Sequence, residues 1–253
     1  MTPIESLAST ALKKGEKLGA SQVEAFLMNT HGHSVYVESS MPRVADDKLE
    51  TGLGLKICLG KRIGFASGTV NETEDVEEVV KEAFSIAKTN EEDTYFRSLP
   101  TTSKLSCRIQ EAYSAETASI RLDDVVRKAM DAVKAAEKTK NVKVPLGMIR
   151  IADYKLLVAN SLGVDFSHKG TMVFSYFKSK ASVGEKAGEG TEKEWSTDIS
   201  RIDFEGMVNS IAAKAVATMK AESFDFAQDK FFILHPSSFC PECKTLHAAQ
   251  SGT

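Results

Sequence analysis

The chain has little of what an exported or membrane-bound protein needs. Its N-terminus, Met1 to Ser6, has neither a basic start nor an apolar run, so it does not resemble a signal peptide. No hydrophobic run approaches the roughly 20 residues of a membrane-spanning helix. We therefore expect a cytoplasmic protein with no membrane partner.

The sequence also lacks an excess of charge of one sign. Its 32 Lys and Arg residues are balanced by 35 Asp and Glu residues, which leaves a formal net charge of −3 at pH 7. Without a basic surplus there is no electrostatic reason to expect nucleic acid or an anionic membrane as a partner. The 42% of hydrophobic residues is ordinary for a globular protein and is enough for a proper core.

Cysteine is scarce. Cys58 and Cys107 stand alone in apolar sequence, which is typical of small buried residues in a reducing compartment. Cys240 and Cys243 form a C-x-x-C pair near the end of the chain.

Hydrophobic periodicity predicts an α+β protein in which helices cover antiparallel β-meanders. Residues 1–222 are expected to form one α+β domain, and its two halves, 1–100 and 101–222, have a similar order of elements. Helices are predicted over 4–18, 71–88, 119–138 and 204–219. Strands are predicted over 23–28, 34–39, 43–49, 53–59, 63–67, 105–113, 147–155, 155–159 and 164–183, with turns at 60–62 and 160–163 and a loop or hairpin tip at 184–193.

Several motifs fail on inspection, so no catalytic or cofactor-binding residue is predicted. Gly52-x-Gly54 would need a third glycine where Ile57 stands, and no helix follows it. Gly54 to Lys61 departs from a phosphate-binding loop, because the glycine spacing is too long and Arg62 replaces the required Ser or Thr. Ser67 lies in G-x-x-S-G, whereas a hydrolase elbow is G-x-S-x-G.

None of the five histidines is followed by Glu, which excludes an H-E-x-x-H zinc helix. His31-Gly32-His33 could place two imidazoles on one face of a strand. Two ligands are too few without a third group, so the sequence favours turn or surface histidines there.

Residues 223–253 differ from the rest of the chain in composition and have no sustained hydrophobic period. We expect an unrelated or disordered tail, and we favour a reading-frame or insertion artefact as its origin. Two alternatives stay open: a thiol redox pair, and a zinc knuckle, since the C-x-x-C spacing suits tetrahedral coordination. The candidate zinc ligands are Cys240, Cys243, His247 and His235.

Three stretches together carry a family resemblance: Gly52–Ile57, Gly60–Gly68 and Val158–Val164. With the first predicted helix they resemble the N-terminal domain of the TldD/PmbA family of metalloproteases, over roughly residues 4–221. No single motif is decisive, and the order and spacing of the stretches make the case. The resemblance is to the PmbA/TldE-like subunit more than to the TldD-like one.

The resemblance implies a chain about twice this length, of which the C-terminal part is missing here. It implies that a TldD-like subunit binds the metal, zinc, through an H-E-x-x-x-H helix in the second half, and that the PmbA-like subunit lacks this motif. We therefore expect no metal ligand and no cofactor in this chain, and zinc in an active partner subunit. The expected role is handling of unfolded peptide substrate and pairing with a TldD-like active subunit or a second copy, without catalysis by this part alone. The alternative is a non-enzymatic binding module with the C-terminal zinc knuckle.

Overall fold

A computed structural model describes residues 2–102 and 111–221 of the chain. The helices in this part of the chain are α1 (Ile4–Lys17), α2 (Thr73–Thr89), α3 (Ala115–Ser119), α4 (Leu122–Glu137) and α5 (Phe204–Met219). The strands are β1 (Gln22–Glu38), β2 (Met41–Leu59), β3 (Arg62–Thr69), β4 (Val142–Asn160), β5 (Asp165–Val183) and β6 (Lys186–Ser196). No helix among the described residues is long and apolar enough to cross a membrane.

All six strands belong to one antiparallel sheet, in the order β3-β2-β1-β4-β5-β6. The two halves of the chain repeat one order of elements: a helix, a three-stranded meander and a second helix, with the short α3 added in the second half. The first strands of the two meanders, β1 and β4, pair along Glu24–Glu38 and so join both halves in a single sheet. The predicted α+β class is confirmed.

The helices lie on one face of this sheet, which we call the helix face. Alternate residues of β1, such as Val23, Leu27 and Val35, point to this face and are fully buried. The core divides into two main clusters along the length of the strands. Leu27 lies in the cluster under α1 and α2, and Val35 lies in the cluster under α4 and α5.

Two glycines in the edge strands allow close approach of the helices. A Cβ on Gly64 of β3 would lie 2.0 Å from the carbonyl oxygen of Ala83 in α2, and one on Gly190 of β6 would lie 2.2 Å from that of Ile211 in α5. Both glycines are therefore required by packing between backbones.

Residues 184–193 correct the sequence prediction, which made this stretch a loop or hairpin tip. The turn is confined to residues 184 and 185, and β6 begins at Lys186. Gly188 and Gly190 mark the contact with α5, whereas Gly184, at positive φ, belongs to the turn.

The strands are also longer than predicted. The predicted strands 23–28 and 34–39 are one strand, as are 43–49 with 53–59 and 147–155 with 155–159. The polar residues between them do not interrupt the ladder, because both neighbours of β1 pair with it along this stretch. The helix predicted over 119–138 begins at Leu122, after the separate short helix α3. Of the strand predicted over 105–113, residues 103–110 lie outside the described residues, and residues 111–113 are not a strand.

Candidate functional site

The face of the sheet opposite the helices carries a groove. We call this the open face: among the described residues, no helix packs on it. The groove has a volume of about 430 Å³ and is lined by side chains of β1, β2 and β4. The lining residues are Met28, Thr30, Gly32, Ser34, Tyr36, Asp46, Lys48, Glu50, Gly52 and Arg150.

Glycines contribute to the groove by leaving space above the strands. A Cβ built on Gly52 would meet no atom within 4 Å, and one on Gly32 would lie 3.3 Å from the Cβ of Ala152 on β4. Larger side chains, among them Tyr36 and Arg150, line the groove beside this space. The groove therefore forms where Gly32 and Gly52 have no side chain.

Charges of both signs line the groove. Lys48 Nζ lies 2.5 Å from Glu50 Oε2, and Thr69 Oγ1 donates a hydrogen bond of 3.3 Å to Glu50 Oε1. The hydrogen bond from Lys48 lowers the pKa of the Glu50 carboxyl, and the charge of Arg150 acts in the same direction. A groove with cations, anions and hydroxyl groups suits a polar chain such as a peptide backbone better than a purely apolar ligand.

Beside the groove, one stretch of β2 has an unpaired edge. β3 pairs with Gly52–Leu59 only, so residues 41–50 of β2 pair with β1 on one side and with no strand of the described chain on the other. Asp46, Lys48 and Glu50 belong both to this edge and to the groove lining. An unpaired strand edge next to a groove is the arrangement in which an extended peptide adds to a sheet by backbone hydrogen bonds.

Aromatic side chains surround this region on the open face. Phe26 is 43% exposed, and the ring of Phe65 passes 3.4 Å from where a Cβ on Gly54 would lie. Farther along the sheet, the rings of Phe174 and Trp195 have centroids 4.5 Å apart, and Trp195 is 65% exposed. Exposed aromatic side chains such as the Phe174–Trp195 pair are common at interaction surfaces.

The helix face carries a second candidate, a polar cluster between the two core clusters. His31 and His33 point to this face, and Asp47 on β2 lies directly opposite His33. His31 Nε2 lies 2.8 Å from Asp47 Oδ1, and His33 Nδ1 lies 3.5 Å from the same oxygen. Asp153 on β4 lies opposite His31, with its Oδ1 3.7 Å from His31 Nδ1.

The structure supplies here the third group that the sequence did not show beside the two histidines. The two-residue turn Ser39-Ser40 has positive φ at both residues, as in the commonest type of β-hairpin, and it brings Asp46 and Asp47 near the two histidines without selecting between them. A register shift after Tyr36 then places Asp47 opposite His33.

The other residues singled out in the sequence fall in different places. Cys58 is buried as expected, and burial raises the pKa of its thiol. Ser67 is an exposed residue of β3. The proposed zinc ligands Cys240, Cys243, His247 and His235 lie outside the described residues, as does Cys107, so the zinc knuckle stays a prediction.

Comparison with solved structures finds the same fold in proteins about twice as long. TldE from Thermococcus kodakarensis is 24% identical with a TM-score of 0.73, and the match covers 83% of this chain and 46% of that one. A candidate modulator of a DNA gyrase from Thermotoga maritima is 17% identical with a TM-score of 0.71, and the match covers 88% of this chain and 50% of that one. A candidate modulator of DNA gyrase from Bacteroides thetaiotaomicron is 18% identical with a TM-score of 0.75, and the match covers 87% of this chain and 51% of that one. The chain thus spans about half the length of the solved structures that it matches.

Comparison with curated proteins found no match. Two protein-family domains do match the chain. Residues 23–87 match domain 1 of the PmbA/TldA metallopeptidases, and residues 115–219 match their central domain. Together these ranges cover more than half of the sequence, and they lie within the stretch where the sequence resembles the family. The chain belongs to the TldD/PmbA family.

Proposed function

We propose that the chain is the N-terminal part of a PmbA/TldE-like metallopeptidase subunit in the cytoplasm. In this proposal the open face holds unfolded peptide substrate, and the subunit pairs with a TldD-like active subunit or with a second copy. The observation that carries the proposal is the groove of the open face, which lies against the unpaired edge of β2.

The chemistry of the groove supports an extended peptide as the ligand. The free edge of residues 41–50 offers backbone N–H and C=O groups to a new strand. One set of alternate side chains of that strand would lie on the open face, beside the Lys48–Glu50 pair, and the other set would lie on the helix face. Such binding recognises the peptide backbone more than its sequence, which fits a substrate without a fixed structure.

The family's H-E-x-x-x-H metal motif has no match in this chain, because none of its histidines is followed by Glu. The His31, His33 and Asp47 cluster lies on two strands, whereas that motif places its ligands on one helix. The proposal therefore assigns hydrolysis to a partner or to a further part of the assembly, and gives this chain substrate handling and subunit pairing.

Peptide binding can be tested by filling the groove. Gly52→Leu adds a side chain where a Cβ meets no atom within 4 Å, so it should occupy the groove without straining the fold. We expect the variant to bind fluorescein-labelled unfolded casein at least about tenfold more weakly, equivalent to about 1.4 kcal/mol, by fluorescence anisotropy. Ser67→Leu, also exposed on the open face but outside the groove, is the matched control and should bind as the original chain does.

Equal binding by the original chain and Gly52→Leu would contradict a role of the groove. Subunit pairing has its own readout in the same preparations. A tagged form of the chain should retain a full-length family member that carries H-E-x-x-x-H, with a full-length paralogue of the chain as positive control. Retention by the paralogue alone would contradict pairing through this part.

A further inference from the structure

A cluster of metal-ligand side chains lies on the face of the sheet that the proposed function does not use. One ligand atom from each of His31, His33 and Asp47 lies within 4.8 Å of the others. From this geometry we propose that the cluster binds a divalent transition-metal cation, with zinc as the reference ion. The inference is independent of the proposed function, because it concerns the helix face and needs neither peptide nor partner.

The distances are close to those of a formed site. Two ligands at about 2.1 Å from a tetrahedral zinc ion are separated by roughly 3.4 Å. The 3.5 Å between His33 Nδ1 and Asp47 Oδ1 matches this value, and the 2.8 Å between His31 Nε2 and the same oxygen needs only a small opening. The side chain of Asp47 is 54% exposed and His31 is 42% exposed, so both are free to adjust.

The strongest pointer to a ligand is the state of His33. This residue is only 9% exposed, and its Nδ1 is a buried atom without a hydrogen-bond partner among the described residues. A buried polar nitrogen without a partner costs free energy, and coordination of a cation would remove that cost. The nitrogen faces Asp47, on the side where the half-exposed His31 and Asp47 open the cluster to solvent.

Asp153 completes the arrangement from β4. Its Oδ1 lies 3.7 Å from His31 Nδ1, the ring nitrogen opposite the one that faces Asp47. Metal-binding histidines commonly donate their second ring N–H to a carboxylate, which fixes the ring in the orientation for coordination. In the proposed site Asp153 would take this role for His31 once the two atoms close from 3.7 Å to hydrogen-bond distance.

The donor set restricts the class of cation. Two imidazoles and one carboxylate suit zinc, iron, nickel or cobalt, whereas calcium and magnesium prefer sets made of oxygen atoms. Three protein ligands leave one position of a tetrahedral ion for water or a small ligand.

The test measures zinc binding to the full chain after chelator treatment, by equilibrium dialysis and elemental analysis. Cys240→Ser and Cys243→Ser are introduced first, so that the thiolates of the tail cannot contribute. We expect one zinc ion per chain in this background. Asp47→Ala and His31→Gln should abolish it, and Asp153→Asn should weaken it by about 10- to 100-fold. His168→Gln, a histidine of β5 outside the cluster, should leave it unchanged.

Circular dichroism and thermal unfolding without metal verify that each variant is folded. Cobalt gives a second readout: its visible spectrum should indicate nitrogen and oxygen ligands, without the charge-transfer band of a thiolate. The proposal is overturned if the background without the two cysteines binds no zinc, or if folded Asp47→Ala binds zinc as tightly as the background does.

Discussion

The two faces of the sheet are built from the same strands and differ in how deeply their side chains are buried. In β1, Leu27 is fully buried under the helices, and its neighbour Phe26 is 43% exposed on the open face. The helix face gains stability by excluding water from aliphatic side chains. The open face keeps aromatic and charged side chains in contact with water, where they are available to a ligand. Because successive side chains of a strand point to opposite faces, one strand can both contribute to the core and present side chains to a ligand.

The largest expected difference in stability between the two faces comes from replacing Leu27 and Phe26, one at a time, by alanine. Leu27→Ala leaves a cavity in the core under α1 and α2 and should lower the free energy of unfolding by about 2–5 kcal/mol. Phe26→Ala removes a larger side chain but should cost about 1 kcal/mol or less, because its ring is partly solvated already. Urea unfolding measures both, and similar losses would show that something covers the open face.

A second comparison uses substitutions that add a side chain to a glycine on each face, and the expected change in the free energy of unfolding is somewhat smaller. Gly64→Val on the helix face would force its Cβ against the backbone of α2 and should cost about 1–3 kcal/mol or more. Gly52→Val on the open face has room for the side chain and should be neutral or stabilising by up to about 1 kcal/mol, since valine favours strands. Thermal unfolding of both variants is the measurement. A destabilised Gly52→Val would indicate that the groove is filled in the native protein.

The smallest predicted effect is electrostatic and depends on pH. At the start of α2, Asp75 Oδ2 accepts hydrogen bonds from the backbone N–H groups of Asn71, at 2.7 Å, and Glu72, at 3.1 Å, which lower the pKa of its carboxyl. Because the folded pKa lies below the unfolded one, the stabilisation is present above the unfolded pKa and is lost as the pH falls through the folded value. Asp75→Asn should therefore be less stable at neutral pH, by a margin that closes on acidification.

Glu50→Gln on the open face is the matched control for this prediction. The pKa of Glu50 is lowered as well, first by the hydrogen bond from Lys48, but the side chains of Lys48 and Glu50 are 63% and 42% exposed. An exposed pair of this kind contributes little to stability and is screened by salt. Unfolding curves from neutral to acidic pH should show a closing margin for Asp75→Asn and hardly any margin for Glu50→Gln. The reverse order would mean that the groove pair stabilises the fold.

The local pattern of apolar residues was sufficient to predict an element wherever that element has a clear apolar stripe. The helix predicted over 204–219 has the bounds of α5, because Met207, Val208 and Ile211 recur at helical spacing. The turn predicted at 60–62 agrees with a β2–β3 turn that has Gly60 at positive φ. The sequence could not show that the polar stretch from Asn29 to His33 continues a strand, because only pairing with β2 and β4 makes it one.

The candidate sites show even more clearly which features the local sequence predicts and which depend on strand pairing. The residue types were visible in the sequence: two histidines two apart, a pair of aspartates after a short turn, and glycines in β-rich segments. Their partners depend on strand register, since a shift of one residue moves every side chain to the other face. Without the irregularity after Tyr36, the turn at Ser39-Ser40 would place Asp46 opposite His33 in place of Asp47.

The sequence by itself therefore determined the α+β class, the four longer helices of the described residues and the family of this protein, because these follow from periodicity and from the order of short motifs. Only the tertiary structure decided that two meanders form one sheet, that one face stays open around a groove, and that Asp47 joins the two histidines. These features depend on contacts between residues distant in the chain, and local propensity carries no information about such pairing.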